Sequence, residues 1–193
     1  MTTSPAPSIP HGLPDRSAAQ DLGKIWSNVI KKPDVLATLL RGRQLIGHGA
    51  YGAIYHVSGM AVKIGYVPAE EAERQAWVHQ HFNRALPVLA YASQVKLPDE
   101  VTHWSCPIHG GTGDDEKVWS CHCGDPMDVL VMPLAKPAPT FWFNQDVRKI
   151  ARQVINALFE HFQFFWEDKP SHVLKYQGRI VLADFGEEEV DWC

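Results

Sequence analysis

The sequence predicts an α+β fold, with a small antiparallel sheet first and a reduced helical region after it. Three observations predict it. Residues 45–64 alternate apolar and small residues around closely spaced glycines, residues 128–134 form a second apolar run, and residues 146–165 carry an amphipathic helical pattern. The chain has 193 residues, enough for one domain or two small lobes with a real core. Its net charge of −4 is mild and argues against general affinity for nucleic acid or an anionic membrane. No apolar run reaches membrane-spanning length, and residues 1–16 lack the basic and apolar regions of a signal peptide. A cytoplasmic protein is therefore expected, whose four cysteines are thiols or metal ligands before they are disulfides.

Residues 1–18 are rich in Pro, Ser and Ala and read as a disordered tail. Residues 19–42 form a helical preface. Leu22, Ile25, Trp26, Val29 and Ile30, then Val35, Leu36, Leu39 and Leu40, follow helical spacing interrupted near Pro33. Pro33 suits the first turn of a second helix, and the pair would pack on the back of the sheet.

Gly47, Gly49 and Gly52 then stand at GxGxxG spacing, followed by Ile54 and Val57, a Ser58-Gly59 turn, and Met60-Ala61-Val62-Lys63. Glycines let backbone N–H groups approach phosphate oxygens, and a lysine in an apolar strand fixes one ammonium beneath the loop. In a dinucleotide-binding unit these glycines would join a strand to a helix, with an acidic residue about twenty positions on. Here they join two strands, and no GK[ST] follows. The simpler alternative is a Gly-rich hairpin with one snorkelling lysine. The next segment, residues 69–82, is helix-like with acidic residues in its first turns, where the helix dipole favours them.

An insert at residues 103–124 concentrates cysteine and histidine. Cys106 and His109, with Cys121 and Cys123, have the number and kind of ligands for one tetrahedral structural zinc, leaving no position for water. His122 or His103 could replace His109, and free cysteines in a surface loop are the alternative. Residues 128–134 read as a buried strand entering a linker at Pro133. In the helix at 146–165, Val147, Ile150, Ala151, Val154, Ile155, Leu158, Phe162 and Phe165 form the apolar stripe, and Asn144 is a plausible N-cap. Two short strands, Val173-Leu174 and Arg179–Leu182, flank a Gln177-Gly178 turn and lead to Asp184-Phe185-Gly186. An aspartate ending an apolar strand can project into a cleft and hold Mg²⁺.

A glycine hairpin, a strand lysine and a D-F-G triplet in this order resemble the protein kinase-like superfamily over roughly residues 43–186, in the compact form encoded by bacterial viruses. The resemblance implies a kinase-like N-lobe at 43–134 and a minimal, truncated helical C-lobe at 135–193. It implies ATP and Mg²⁺ as cofactors: Gly47, Gly49 and Gly52 over the phosphates, Lys63 on them, and Asp184 on magnesium. Glu73 would pair with Lys63, with Glu70 and Glu71 as rivals. Met132 would guard the back of the pocket, and Pro133-Leu134 would be the linker reading the adenine edge. In the catalytic loop, Glu167 falls where an aspartate belongs, with Asp168 one position off, and His172 replaces a metal-binding asparagine. Only seven residues follow Gly186, so substrate-binding helices and an A-P-E motif are expected to be missing. The implied activity is phosphorylation of Ser/Thr on a protein substrate. The alternative is a pseudokinase that binds and inhibits a partner protein.

Overall fold

The structure is a computed structural model that describes residues 16–49, 52–67, 69–98, 124–166 and 169–186. Helix α1 (Arg16–Val29) starts inside the segment expected to be tail, because Ala18, Ala19 and Gln20 are good helix formers. Helix α2 (Pro33–Leu40) opens on Pro33, whose missing N–H would be unpaired there anyway.

The helices cover one face of a five-stranded antiparallel sheet of order β1-β2-β3-β5-β4. Its strands are β1 (Gln44–Gly49), β2 (Gly52–Val57), β3 (Met60–Gly65), β4 (Ala90–Val95) and β5 (Met127–Pro133). Trp26, Ile30, Leu36 and Leu40 are buried with Val57, Val62, Ile64, Val129 and Val131. The turn between β2 and β3 puts Ser58 at φ 51° and Gly59 at φ 80°, the pair of left-handed residues that a two-residue hairpin favours.

Alternation along the strands sends Ala61 and Lys63 of β3, and Leu130 and Met132 of β5, to the other face. There lies α3 (Ala69–Phe82), which buries Glu71, Ala72, Arg74, Gln75 and Val78. Helix α4 (Gln145–Phe162) starts at Asn144, whose Oδ1 accepts the Asp146 N–H at 2.8 Å. It ends sooner than its apolar pattern suggests. Gln163 turns left-handed at φ 56° and donates its N–H to Phe159, so Phe165 lies outside the helix and is exposed.

The second half is not purely helical. Strands β6 (Lys136–Pro137), β7 (Val173–Tyr176) and β8 (Arg179–Leu182) form a separate antiparallel sheet of order β6-β7-β8. Gln177 and Gly178, at φ 49° and 77°, make its tight turn. Beneath it, Val154 and Leu158 of α4 pack with Val78, Phe164, Trp166, Leu182 and Phe185. The two sheets are joined through the segment after α3, where the Leu182 N–H donates to the Arg84 carbonyl at 2.6 Å and Arg84 donates to the Ile180 carbonyl at 3.2 Å. Among the described residues no helix is long and apolar enough to cross a membrane.

Candidate functional site

Lys63 sits mid-strand, opposite Ile54 on β2 and Leu130 on β5, so its depth is set by the sheet rather than by its own flexible stem. Its Nζ donates to both oxygens of Glu71, at 2.7 and 3.0 Å, and to Asp184 Oδ1 at 3.3 Å. Burial pulls the Lys63 pKa down, but the Glu71 and Asp184 carboxylates outweigh it and leave the ammonium held above its ordinary range. Glu71 is almost fully buried, and that desolvation pushes its carboxyl up despite the cation beside it.

The partner of Lys63 is therefore Glu71 and not Glu73, which is exposed on the opposite side of α3. The helical period decides between them. Gln75 and Val78 lie four and seven residues beyond Glu71, so all three share the inward face, while Glu73 is rotated away. Following the stripe of Val78 and Ala72 backward along the helix would have selected Glu71 from the sequence.

Asp184 is brought to Lys63 across 121 residues of sequence. Two neighbours fix its position. The Phe185 side chain is fully buried and its carbonyl accepts Arg74 Nη1 at 2.8 Å, while the Ala183 carbonyl accepts the Trp166 indole N–H at 3.0 Å. Asp184 itself adopts φ 61°, a left-handed conformation that aspartate tolerates better than most residues. About half of its side chain is exposed, so one edge of the carboxylate faces outward. His172 approaches that edge, with Nε2 at 3.5 Å from Oδ2. The histidine is placed by its backbone: its N–H donates to Lys169 and its carbonyl accepts the Ala183 N–H at 2.9 Å. Gly186 completes the cluster, since a Cβ there would stand 3.0 Å from Glu71 Oε2.

Beside Lys63 the sheet presents an apolar wall. Ile54, Ala61 and Met132 on the first sheet pack in one cluster with Leu134 of the linker and Leu174 of β7. Ile54, Ala61 and Leu174 were not singled out from the sequence as neighbours of Lys63. Their shared face becomes apparent only once the strand register is known. Met132 is buried against Gln75, whose Nε2 lies 3.8 Å from its sulfur. In the linker Pro133 has no N–H, and the Leu134 N–H already donates to the Gly59 carbonyl at 3.1 Å.

The three glycines differ in kind. Gly49 pairs with Gly52 at the open end of the hairpin, whose Ala50 and Tyr51 are outside the described residues. A Cβ on Gly52 would stand 2.8 Å from the Ile64 carbonyl oxygen of β3, so glycine is required there for strand contact. A Cβ on Gly47 would meet only Ile54 Cδ1 at 3.8 Å, an ordinary contact.

Glu167 and Asp168, and the zinc candidates Cys106, His109, Cys121 and Cys123 with His103 and His122, lie outside the described residues. Among the described residues no group of three or more His, Cys, Asp and Glu side chains is spaced to hold a metal ion. Glu71 is held by Lys63, and His172 Nε2 and Asp184 Oδ2 stand 3.5 Å apart beside that pair. A separate recess of about 500 Å³ runs along the outer face of α4 past Arg148, Lys149 and Arg152. Its lining has no carboxylate, histidine or cysteine, and the convergent charged groups lie at Lys63 instead. No protein-family model, curated protein or solved structure matches the chain.

Proposed function

We propose that the chain is a protein kinase-like phosphotransferase that uses ATP and a divalent cation, Mg²⁺ by the resemblance, to phosphorylate Ser/Thr hydroxyls of a protein. One observation carries the proposal: an ammonium oriented by a buried carboxylate meets a half-exposed carboxylate at the foot of a glycine hairpin, beside an apolar wall. Phosphoryl transfer needs little from a protein beyond positioning and charge neutralisation, and this cluster has the charges for both.

The residues divide the work. Ile54, Ala61, Met132, Leu134 and Leu174, which cluster beside Lys63, would supply the apolar contacts for a purine. Lys63, held by Glu71, contacts phosphate oxygens, and the β1–β2 hairpin covers them. Asp184 would hold the cation, whose positive charge would offset that of the phosphates. The acceptor hydroxyl gives its proton to Glu167 or Asp168 as its oxygen forms the new P–O bond. The bond between the γ-phosphorus and the bridging oxygen breaks, and ADP leaves. A structural zinc in the insert, held by the three cysteines and one histidine, belongs to the same proposal.

Transfer of label from γ-labelled ATP to protein tests it, comparing wild type with Lys63→Ala and Asp184→Asn. Asparagine tolerates the left-handed backbone and removes only the charge. Loss of label in both variants is expected, and label that survives both would end the mechanism. The pseudokinase reading is favoured by the substitutions in the catalytic loop, where a glutamate and His172 replace the usual residues. It predicts a nucleotide-induced rise in melting temperature without any transfer.

A further inference from the structure

Asp184 and His172 form a mixed oxygen–nitrogen pair at the place where the resemblance implies an all-oxygen magnesium site. His172 Nε2 and Asp184 Oδ2 are 3.5 Å apart, on the side of the carboxylate away from Lys63, which binds Oδ1. Two donors each about 2.1 Å from one ion, at angles between square and tetrahedral, stand about 3.0–3.4 Å apart. A shift of a few tenths of an ångström therefore brings both onto a common metal. The His172 side chain is largely buried, with its ring near Trp166, and its backbone is tied to Lys169 and Ala183, so the imidazole is held beside Asp184 rather than swinging in solvent.

Mg²⁺ dehydrates reluctantly and takes oxygen ligands, whereas Mn²⁺ accepts both carboxylate and imidazole and binds mixed sites more tightly. We infer that the cation site of this protein is a manganese site, in which His172 Nε2 and Asp184 Oδ2 bind Mn²⁺ in preference to Mg²⁺ when nucleotide phosphates supply the remaining oxygens. The inference rests on the nucleotide-binding proposal above and sharpens it by naming the metal.

The test uses the full chain with AMP-PNP, a non-hydrolysable nucleotide, and Mn²⁺ or Mg²⁺ alone. Pulsed electron paramagnetic resonance of the Mn²⁺ complex reads nitrogen coupling directly, and calorimetry reads nucleotide affinity with each metal. Coupling to a histidine nitrogen is expected in wild type, together with AMP-PNP affinity about tenfold higher with Mn²⁺ than with Mg²⁺. His172→Asn should abolish the coupling and bring the two metals to near parity. His172→Gln serves if the asparagine variant does not fold. Asp184→Asn removes Mn²⁺ from this site while leaving any bound at the Cys/His insert, which separates the two signals. Nucleotide affinity equal with both metals, or nitrogen coupling that persists without His172, overturns this inference and leaves the nucleotide site standing. No nucleotide binding with either metal overturns both.

Discussion

Val62 and Ile64 turn to one side of β3 and share a core with Trp26, Leu36 and Leu40, whereas Lys63 between them turns to the other and meets two carboxylates. On the first face burial is apolar, and each fully buried side chain contributes about 1.5–3 kcal/mol. On the second, α3 buries Glu71, Arg74 and Gln75 against the same strands. A buried ion pair roughly breaks even against a hydrophobic replacement, so that face adds little stability for the charges it holds. The sheet thus separates two tasks by a two-residue period: one side anchors the fold, and the other holds a lysine at fixed depth at some energetic cost.

The sharpest way to break the comparison is to remove the cation. Lys63→Met is expected to cost about 3–5 kcal/mol in urea unfolding at neutral pH, because it strands Glu71 in the interior. Most of that loss should return in Lys63→Met/Glu71→Leu, which replaces the pair with apolar groups. Failure of the second change to recover stability would mean that the two residues do not act as a pair.

The pH dependence follows from the direction of each shift. Glu71 is held above its ordinary value of 4.5 by burial, and losing Lys63 raises it further. Its stabilising share is present below the unfolded value and lost as pH rises through the folded one, so Lys63→Met should gain stability on acidification from neutral to about pH 5. The wild-type lysine is raised above 10.5, so its contribution is complete below that pH. The gap between wild type and Lys63→Met should close as alkaline titration passes through the raised value.

On the apolar face, Leu36→Ala is expected to cost about 3 kcal/mol at every pH, and the nucleotide-induced thermal shift that the proposed function predicts should persist in the remaining folded protein. A loss of nucleotide response from that change would show that the faces are not independent. Smaller effects distinguish the glycines. Gly52→Ala forces a Cβ against the β3 backbone and should cost about 1–3 kcal/mol, whereas Gly47→Ala should stay within about 0.5 kcal/mol. Glu73→Gln on the exposed side of α3 should likewise be near neutral in stability, and equal losses for all three would contradict the placement of the residues.

Much of the local architecture was legible in the chain. The Ser58-Gly59 and Gln177-Gly178 turns, the helical break at Pro33 and the Asn144 cap follow from short-range backbone chemistry, and each stands where expected. The end of α4 was not legible, because Phe165 continues the apolar period while Gln163 leaves the helix. Nor was β6, a two-residue strand that is defined by its pairing with Lys175 and Leu174. At the site, Lys63 and Asp184 could be named from their neighbours in sequence. Glu71 was named only as a rival to Glu73, and the difference is one of helical phase.

By itself the sequence determined which residue types sit in strands and turns, and that a lysine stands within one apolar strand and an aspartate just beyond another. Those outcomes depend on forces acting over a few residues: turn chemistry, capping and hydrophobic alternation. Tertiary structure alone decided which carboxylate reaches the ammonium, that His172 stands beside Asp184, and that Ile54, Ala61, Met132 and Leu174 share one wall. Those are matters of register and helix rotation, set by how whole faces pack together, and no local stretch of chain contains them.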